Sequence, residues 1–295
     1  MHHSNSAINK QNQQDKNSSW NLTLGGRGAF LLHLADTNLI LAQRNAEWCG
    51  HGPILEQDIA ITNISLDLLG QARNFYQYAA LLKNKESGNL AGTSAPSPLE
   101  RAGGEVTEDT LAYLRTEREF KNLLITELPK GDWAQTILRQ FFCSVYQDLL
   151  YKQLQKSNDE QLSAIAEKSL KEVTYHVKWS SEWVIRLGDG TQESHQRMLN
   201  AIENLWPYTG EFFMPAAYEN ETVVGFDLTL LKRPWLEKVR AILEEATLWS
   251  PDFERGKQEA VFMQSGGKTG THTEHMGFIL SEMQYLQRTY PGAKW

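Results

Sequence analysis

A histidine in a buried stripe, with aspartates at similar depth in other helical stretches, is the first hint of chemistry in this sequence. His176 falls in the series Leu162, Ala166, Ser169, Val173, His176, Ser180, Val184 and Leu187. Spacings of three and four put these residues on one helix face. Asp36, Asp67 and Asp148 lie in three further helical stretches. A di-iron carboxylate centre in a long-helix bundle takes one Glu from each of two helices and a Glu-x-x-His pair from each of the other two. The i, i+3 spacing is needed so that both ligands reach one metal from one face. The residues three before His33, His51, His176, His195, His272 and His275 are Phe30, Trp48, Val173, Gln192, Thr269 and His272. The chain therefore contains no Glu-x-x-His or Asp-x-x-His, and Gly70 stands three beyond Asp67.

Asp36, Asp67, Asp148 and His176 accordingly read as vestigial ligand-like positions. No catalytic residue and no metal set are expected here. The favoured arrangement is a buried polar cluster with Arg73, Lys171 or Arg44 as the cation, since buried charges need partners. A metalloprotein with an atypical Asp/His site in its own bundle stays open as the alternative, with Glu172 and His176 paired at i, i+4. Glu117 and Glu119 cannot face one way on a helix, so paired-carboxylate hydrolysis has no support.

Ser265–His275 (SGGKTGTHTEH) invites a phosphate-loop reading. A Walker A motif needs Gly five residues before its Gly-Lys pair, and Phe262 stands there. What remains is a mobile Gly-rich loop whose Lys268 could touch an anionic ligand or a partner subunit, against the plainer reading of an ordinary surface loop. No GxSxG elbow or GxGxxG fingerprint occurs.

The elements that must position these residues are helical. Ala29–Trp48 and Ile54–Leu82 read as helices separated by CGHGP, the second with a core stripe of Ile61, Ile64, Leu68, Ala72, Phe75, Ala79 and Leu82. Lys83–Gly104 reads as a loop and Glu108–Leu128 as an uneven helix, in one piece or two. Trp133–Lys156 follows behind an Asp132 cap. Asp159–Gly190 is the organising helix, with Ser157 and Asn158 as caps and glycines at its end. Thr191–Trp206 is shorter. Tyr208–Phe226 reads as aromatic and irregular, a helix begins around Arg233-Pro234, Ser250–Thr273 is a loop, and His275–Thr289 closes the chain. No strand alternation is sustained. The expected fold is an all-α long-helix bundle with additional C-terminal helices. Residues 1–26 are expected as a disordered polar tail and 27–295 as one domain.

With 22% charged residues, a net charge of -7 and no basic stripe, the chain does not look like a nucleic-acid binder. No apolar run reaches the ~18 residues of a membrane helix. Cys49 and Cys143 are expected as free thiols in a reducing cytoplasm.

Longer strings carry a resemblance: DLLGQARNF (Asp67–Phe75), YLRTEREFKNLLITELPKGDWAQTILRQ (Tyr113–Gln140), Lys171-Glu172 through His176 with EWVIRLGDG (Glu182–Gly190), and GGKTGTHTEH with EMQYLQR (Gly266–Arg288). Here the sequence resembles the C subunits of the bacterial phenylacetyl-CoA ring 1,2-epoxidase, a multicomponent oxygenase of phenylacetate breakdown. The resemblance implies a ferritin-like fold and a structural, non-catalytic role. It implies a sister A subunit that holds the di-iron site. It also implies an NADPH- and O2-dependent complex with a flavin and iron–sulfur reductase, located in the cytoplasm. No metal ligand carries over to this chain.

Overall fold

The computed structural model describes residues 25–89, 105–249, 262–290 and 293. Among them there is no strand. Four long helices make the frame: α1 (Gly26–Ala46), α2 (Leu55–Asn89), α4 (Trp133–Leu154) and α5 (Glu160–Gly188), with the short α3 (Glu108–Tyr113) between α2 and α4.

Cross-helix hydrogen bonds fix the directions. Asn45 reaches Gln140 and Asn38 reaches Gln147, so α1 and α4 run antiparallel. Gln57 reaches Trp179 and Gln71 reaches Glu172, so α2 and α5 do too. The tight turn after α1 and the short link before α5 make α1–α2 and α4–α5 hairpins. It follows that α2 and α4 run parallel. The segment between them must therefore cross the length of the bundle, the single long crossover of a ferritin-like fold. Then come α6 (Gln192–Leu205), α7 (Glu221–Val224), α8 (Lys232–Glu245), α9 (Glu274–Met283) and α10 (Tyr285–Thr289), the additional C-terminal helices.

The organising helix folds as its pattern dictates. Leu162, Ala166, Ser169, Val173, His176, Ser180 and Val184 are all buried on one face of α5. Its cap is Asp159, whose carboxylate accepts from the Leu162 N–H at 3.1 Å, one to two residues later than Ser157 and Asn158. At its other end, a Cβ on Gly188 would lie 2.4 Å from the Ala246 carbonyl, so glycine is required for α5 to meet the end of α8.

Three boundaries differ from expectation. α2 runs on to Asn89, so residues 83–89 of the expected loop are helical; 90–104 lie outside the described residues, as do 1–24 of the expected tail and 250–261 of the loop expected before α9. The expected helix Glu108–Leu128 stops at Tyr113 and gives way to short 3-10 turns at Glu117–Glu119 and Leu124–Thr126. The reason is competition for backbone carbonyls. Arg115 takes that of Glu119, His33 that of Lys121, Arg44 that of Glu127 and Arg139 that of Leu128. The last helix is broken at Gln284, whose buried side chain donates to the Ala112 and Arg115 carbonyls.

The irregular aromatic stretch is core. Trp206–Phe213 forms a 3-10 helix. From it Trp206, Phe212 and Phe213 join Phe142 and Tyr146 of α4 and Trp235 of α8 in one ring cluster. Trp48, Trp133, Trp179 and Trp183 make a second cluster where α1 ends and α4 begins. Such edge-to-face pairs each contribute about 0.5–1.5 kcal/mol beyond area burial.

Candidate functional site

The four ligand-like positions do not converge. Asp36, fully buried on α1, accepts from both terminal nitrogens of Arg115, from the Tyr76 hydroxyl and from the Lys121 N–H. Burial and the Asp36 charge hold the Tyr76 phenol well above its usual range, so it stays a donor. Asp148 is buried between Lys152 at 2.8 Å and Lys238 of α8 at 3.3 Å. Asp67 meets His176 Nε2 at 3.0 Å; the histidine is buried and the aspartate half-exposed. Asp67 and His176 are thus the two that touch.

The expected cation partners are elsewhere. Arg73 is exposed and reaches Glu108, Lys171 reaches Glu167, and Arg44 binds Glu47 and the Glu127 carbonyl. Arg115 fills the role instead. It lies 79 residues from Asp36 in sequence, in a stretch that local pattern assigns to a helix, so no spacing rule could pair them.

Where the four long helices meet, their polar residues are mostly amides and a phenol. Gln147 donates to Asn38 at 2.7 Å, Asn38 to the Tyr151 hydroxyl at 3.0 Å, Tyr151 to Gln71 at 3.3 Å, and Gln71 to Glu172 at 2.9 Å. Burial pushes the Tyr151 phenol up, which keeps it neutral. That hydrogen-bonded chain offers one carboxylate, and the Asp67–His176 pair one turn away adds a second and an imidazole, where a di-iron centre needs four carboxylates and two imidazoles. The donor set does not fit such a centre. Among the described residues, no three His, Cys, Asp or Glu side chains are grouped to hold a metal.

A second buried polar network, invisible to local spacing, joins the crossover to the Gly-rich segment. Glu127 accepts from Asn122 at 2.9 Å and from the N–H and hydroxyl of Thr273 at 2.7 Å each. His272 Nδ1 lies 2.6 Å from the same carboxylate, and its Nε2 lies 3.1 Å from the Phe120 carbonyl. Both ring nitrogens face acceptors, so both must donate, and only imidazolium does that. Burial opposes the charge, yet the Glu127 hydrogen bond and charge outweigh it and raise the His272 pKa. Glu211 accepts from the N–H groups of Leu124, Gly266 and Gly267 at 2.7–2.8 Å. Burial raises its carboxyl against those bonds.

Lys268, expected on an exposed loop, is buried. Its ammonium meets both Glu219 oxygens at 3.2 and 3.0 Å and the Met214 carbonyl at 3.1 Å. An ammonium has three donors, and these contacts use them. His33 borders the same carboxylate at 3.6 Å, while its Nδ1 faces the Lys121 carbonyl at 2.6 Å. Burial, aided by the Lys268 charge, lowers the His33 pKa despite Glu219 and favours neutral imidazole with its proton on Nδ1. The glycines carried the one local signal of this docking. A Cβ on Gly267 would lie 2.2 Å from the Asn122 carbonyl, and one on Gly270 (φ +84°) equally close to that of Arg118.

Each carboxylate oxygen of this network already accepts at least one hydrogen bond from the protein, so the network clamps the crossover to the Gly-rich segment. The His272 pKa is raised on folding, so its stabilisation is complete below the ordinary histidine pKa near 6.5 and is lost as pH rises through the folded value. His272→Gln is expected to cost about 1.5–3 kcal/mol at pH 6, the size of a charge-assisted hydrogen bond, with a smaller deficit at pH 9. Urea unfolding at the two pH values checks this, and a deficit that grows with pH would refute it.

A cleft of about 370 Å³ opens beside the Glu117–Glu119 turn, lined by Thr116, Glu117, Leu280, Gln284, Tyr285 and Arg288. The Arg288 guanidinium is turned to the carbonyls of Tyr113, Leu114 and Arg115.

Comparison with known proteins agrees with this architecture. A sequence profile of the family described as "Phenylacetic acid catabolic protein" matches residues 11–295. The chain is 44% identical over 270 residues to an Escherichia coli (strain K12) protein described as the C subunit of 1,2-phenylacetyl-CoA epoxidase, a match covering 90% of this chain and 98% of that one.

Proposed function

The chain belongs to the phenylacetic acid catabolic protein family, and from that premise we propose that it is the structural C-type subunit of a phenylacetyl-CoA ring 1,2-epoxidase. In this reading its partner is a sister A subunit that holds the di-iron centre and activates oxygen. Electrons come from NADPH through a reductase component with flavin and iron–sulfur groups. The complex works in the cytoplasm on a coenzyme A thioester of phenylacetate and involves neither nucleic acid nor a membrane. Among the described residues, no helix is long and apolar enough to cross a membrane. Residues 27–295 act as one domain, a view supported by the ties of His272 and Gln284 to the crossover.

The single observation that carries the structural role is the Asn38–Tyr151–Gln71–Glu172 chain at the bundle centre. Amides and a phenol fill the middle of that chain and Glu172 is its one carboxylate, which leaves the interior of a ligand helix set with most of its charge gone. Asp36 and Asp148 are committed to cations, and of the ligand-like positions only the Asp67–His176 pair retains any metal-like character.

The test is reconstitution. Co-expressed with the A subunit, the chain is expected to form a stable complex that turns over phenylacetyl-CoA with the reductase. Alone it is expected to carry background iron and manganese, unchanged by His176→Ala. Stoichiometric metal lost on that substitution, or turnover by this chain without the A subunit, would establish the alternative of an Asp/His metal site in its own bundle.

A further inference from the structure

The outward stripe of α2 differs from an ordinary solvated helix face. From Ile59 to Leu81 its exposed positions recur every three or four residues. Ile59, Leu66 and Leu81 are 52%, 60% and 46% exposed, Asn63, Gly70 and Gln77 are neutral, and Arg73 is the lone charge. That charge is already paired with Glu108. The outward face of α5 beside it has the usual composition, with Glu167, Lys168, Lys171, Lys178 and Glu182 all exposed. One helix of the same bundle is thus dressed for water and its neighbour is not.

Gly70 sharpens the contrast. A glycine inside a helix is destabilising relative to alanine, because it loses more backbone freedom on folding. Gly70 has no positive φ to justify it, and a Cβ there would meet nothing within 4 Å. No described residue of the chain therefore requires glycine there. A backbone approaching from outside does, because removing the Cβ lets two helices pack closely.

We propose that the outward stripe of α2, centred on Gly70, is the surface through which this chain packs against the sister oxygen-activating subunit. The contacting element of that subunit is a helix with small or apolar side chains at the crossing, since the stripe offers no unpaired charge to attract a charged partner. This rests on the reading of the chain as a C-type subunit. The stripe from Ile59 to Leu81 is about 33 Å long, and at a helix width of about 10 Å it presents on the order of 330 Å². A standard interface takes about 800 Å² per partner. The contact therefore extends past α2 onto the adjoining edge of α5, where Tyr175 is 48% exposed next to the Asp67–His176 pair.

Calorimetric titration of the full chain with the purified sister subunit tests the assignment. Gly70→Lys enters open space and Leu66→Glu sits at an exposed position, so both variants should melt like the wild type while binding at least ten-fold more weakly. Arg233→Glu, at an exposed position on α8, should bind as the wild type does. Wild-type affinity in both α2 variants would overturn the assignment and leave the subunit reading intact. So would a wild-type homodimer that Gly70→Lys dissociates without affecting the sister complex. Failure of the wild type to bind the sister subunit would bring down the subunit reading and this inference together.

Discussion

Arg115→Met is expected to lower folding stability by about 3–5 kcal/mol, because it leaves the Asp36 carboxylate buried without its cation. Both members of the pair are essentially inaccessible to solvent. The guanidinium also satisfies the Leu111 and Glu119 carbonyls and donates to the Tyr76 hydroxyl, so four acceptors lose a donor at once. The urea midpoint should fall with an unchanged slope, since the loss is of stability rather than of compactness. Asp36→Asn in the same chain should recover at least half of the loss. The amide oxygen can accept from the Lys121 N–H while its NH2 donates to the Tyr76 hydroxyl, which turns to accept, and the stranded charge is removed. A double variant no more stable than Arg115→Met would mean that the arginine acts through packing, as its stacking on Phe120 at 4.2 Å would allow.

That pair also marks where sequence reasoning reaches and where it stops. α5 was legible because its instructions are local: an apolar face at helical spacing and glycines at its end, although its cap is Asp159 rather than Ser157 or Asn158. The missing ligand pairs were legible for the same reason, since Glu-x-x-His is a rule about residues three apart. Asp36 was correctly placed at bundle depth, but its partner lies across the crossover, and charge pairing carries no sequence period. Asn38, Gln71 and Tyr151 escaped notice because neutral amides and phenols resemble ordinary helix residues until four helices bring them together. The helix expected over Glu108–Leu128 failed because distant arginines and a histidine claim its carbonyls, a tertiary effect that local propensity does not contain.

Lys268→Met, the second large effect, is expected to cost about 3–5 kcal/mol by stranding Glu219, the reverse of what an exposed ligand-binding lysine would show. Glu219 retains the Ala216 N–H as donor but loses a cation held at 3.0 Å in a buried site. The sign of its pH dependence follows from which form the variant tolerates. Without the ammonium, burial favours the protonated acid and raises the folded pKa of Glu219 above its unfolded value. The unfolded chain then releases that proton first as pH rises, so the deficit should grow from acidic toward neutral pH. Glu219→Gln combined with Lys268→Met should abolish that growth and restore much of the stability. Below the melting temperature of the variant, any heat of coenzyme A binding should match that of the wild type, because the ammonium points into the protein. A Lys268→Met chain with wild-type stability and weakened coenzyme A binding would instead return the Gly-rich segment to the role of a ligand loop. Wild-type stability requires that Glu219 find another cation, and His33 at 3.6 Å is placed to become one by taking up a proton.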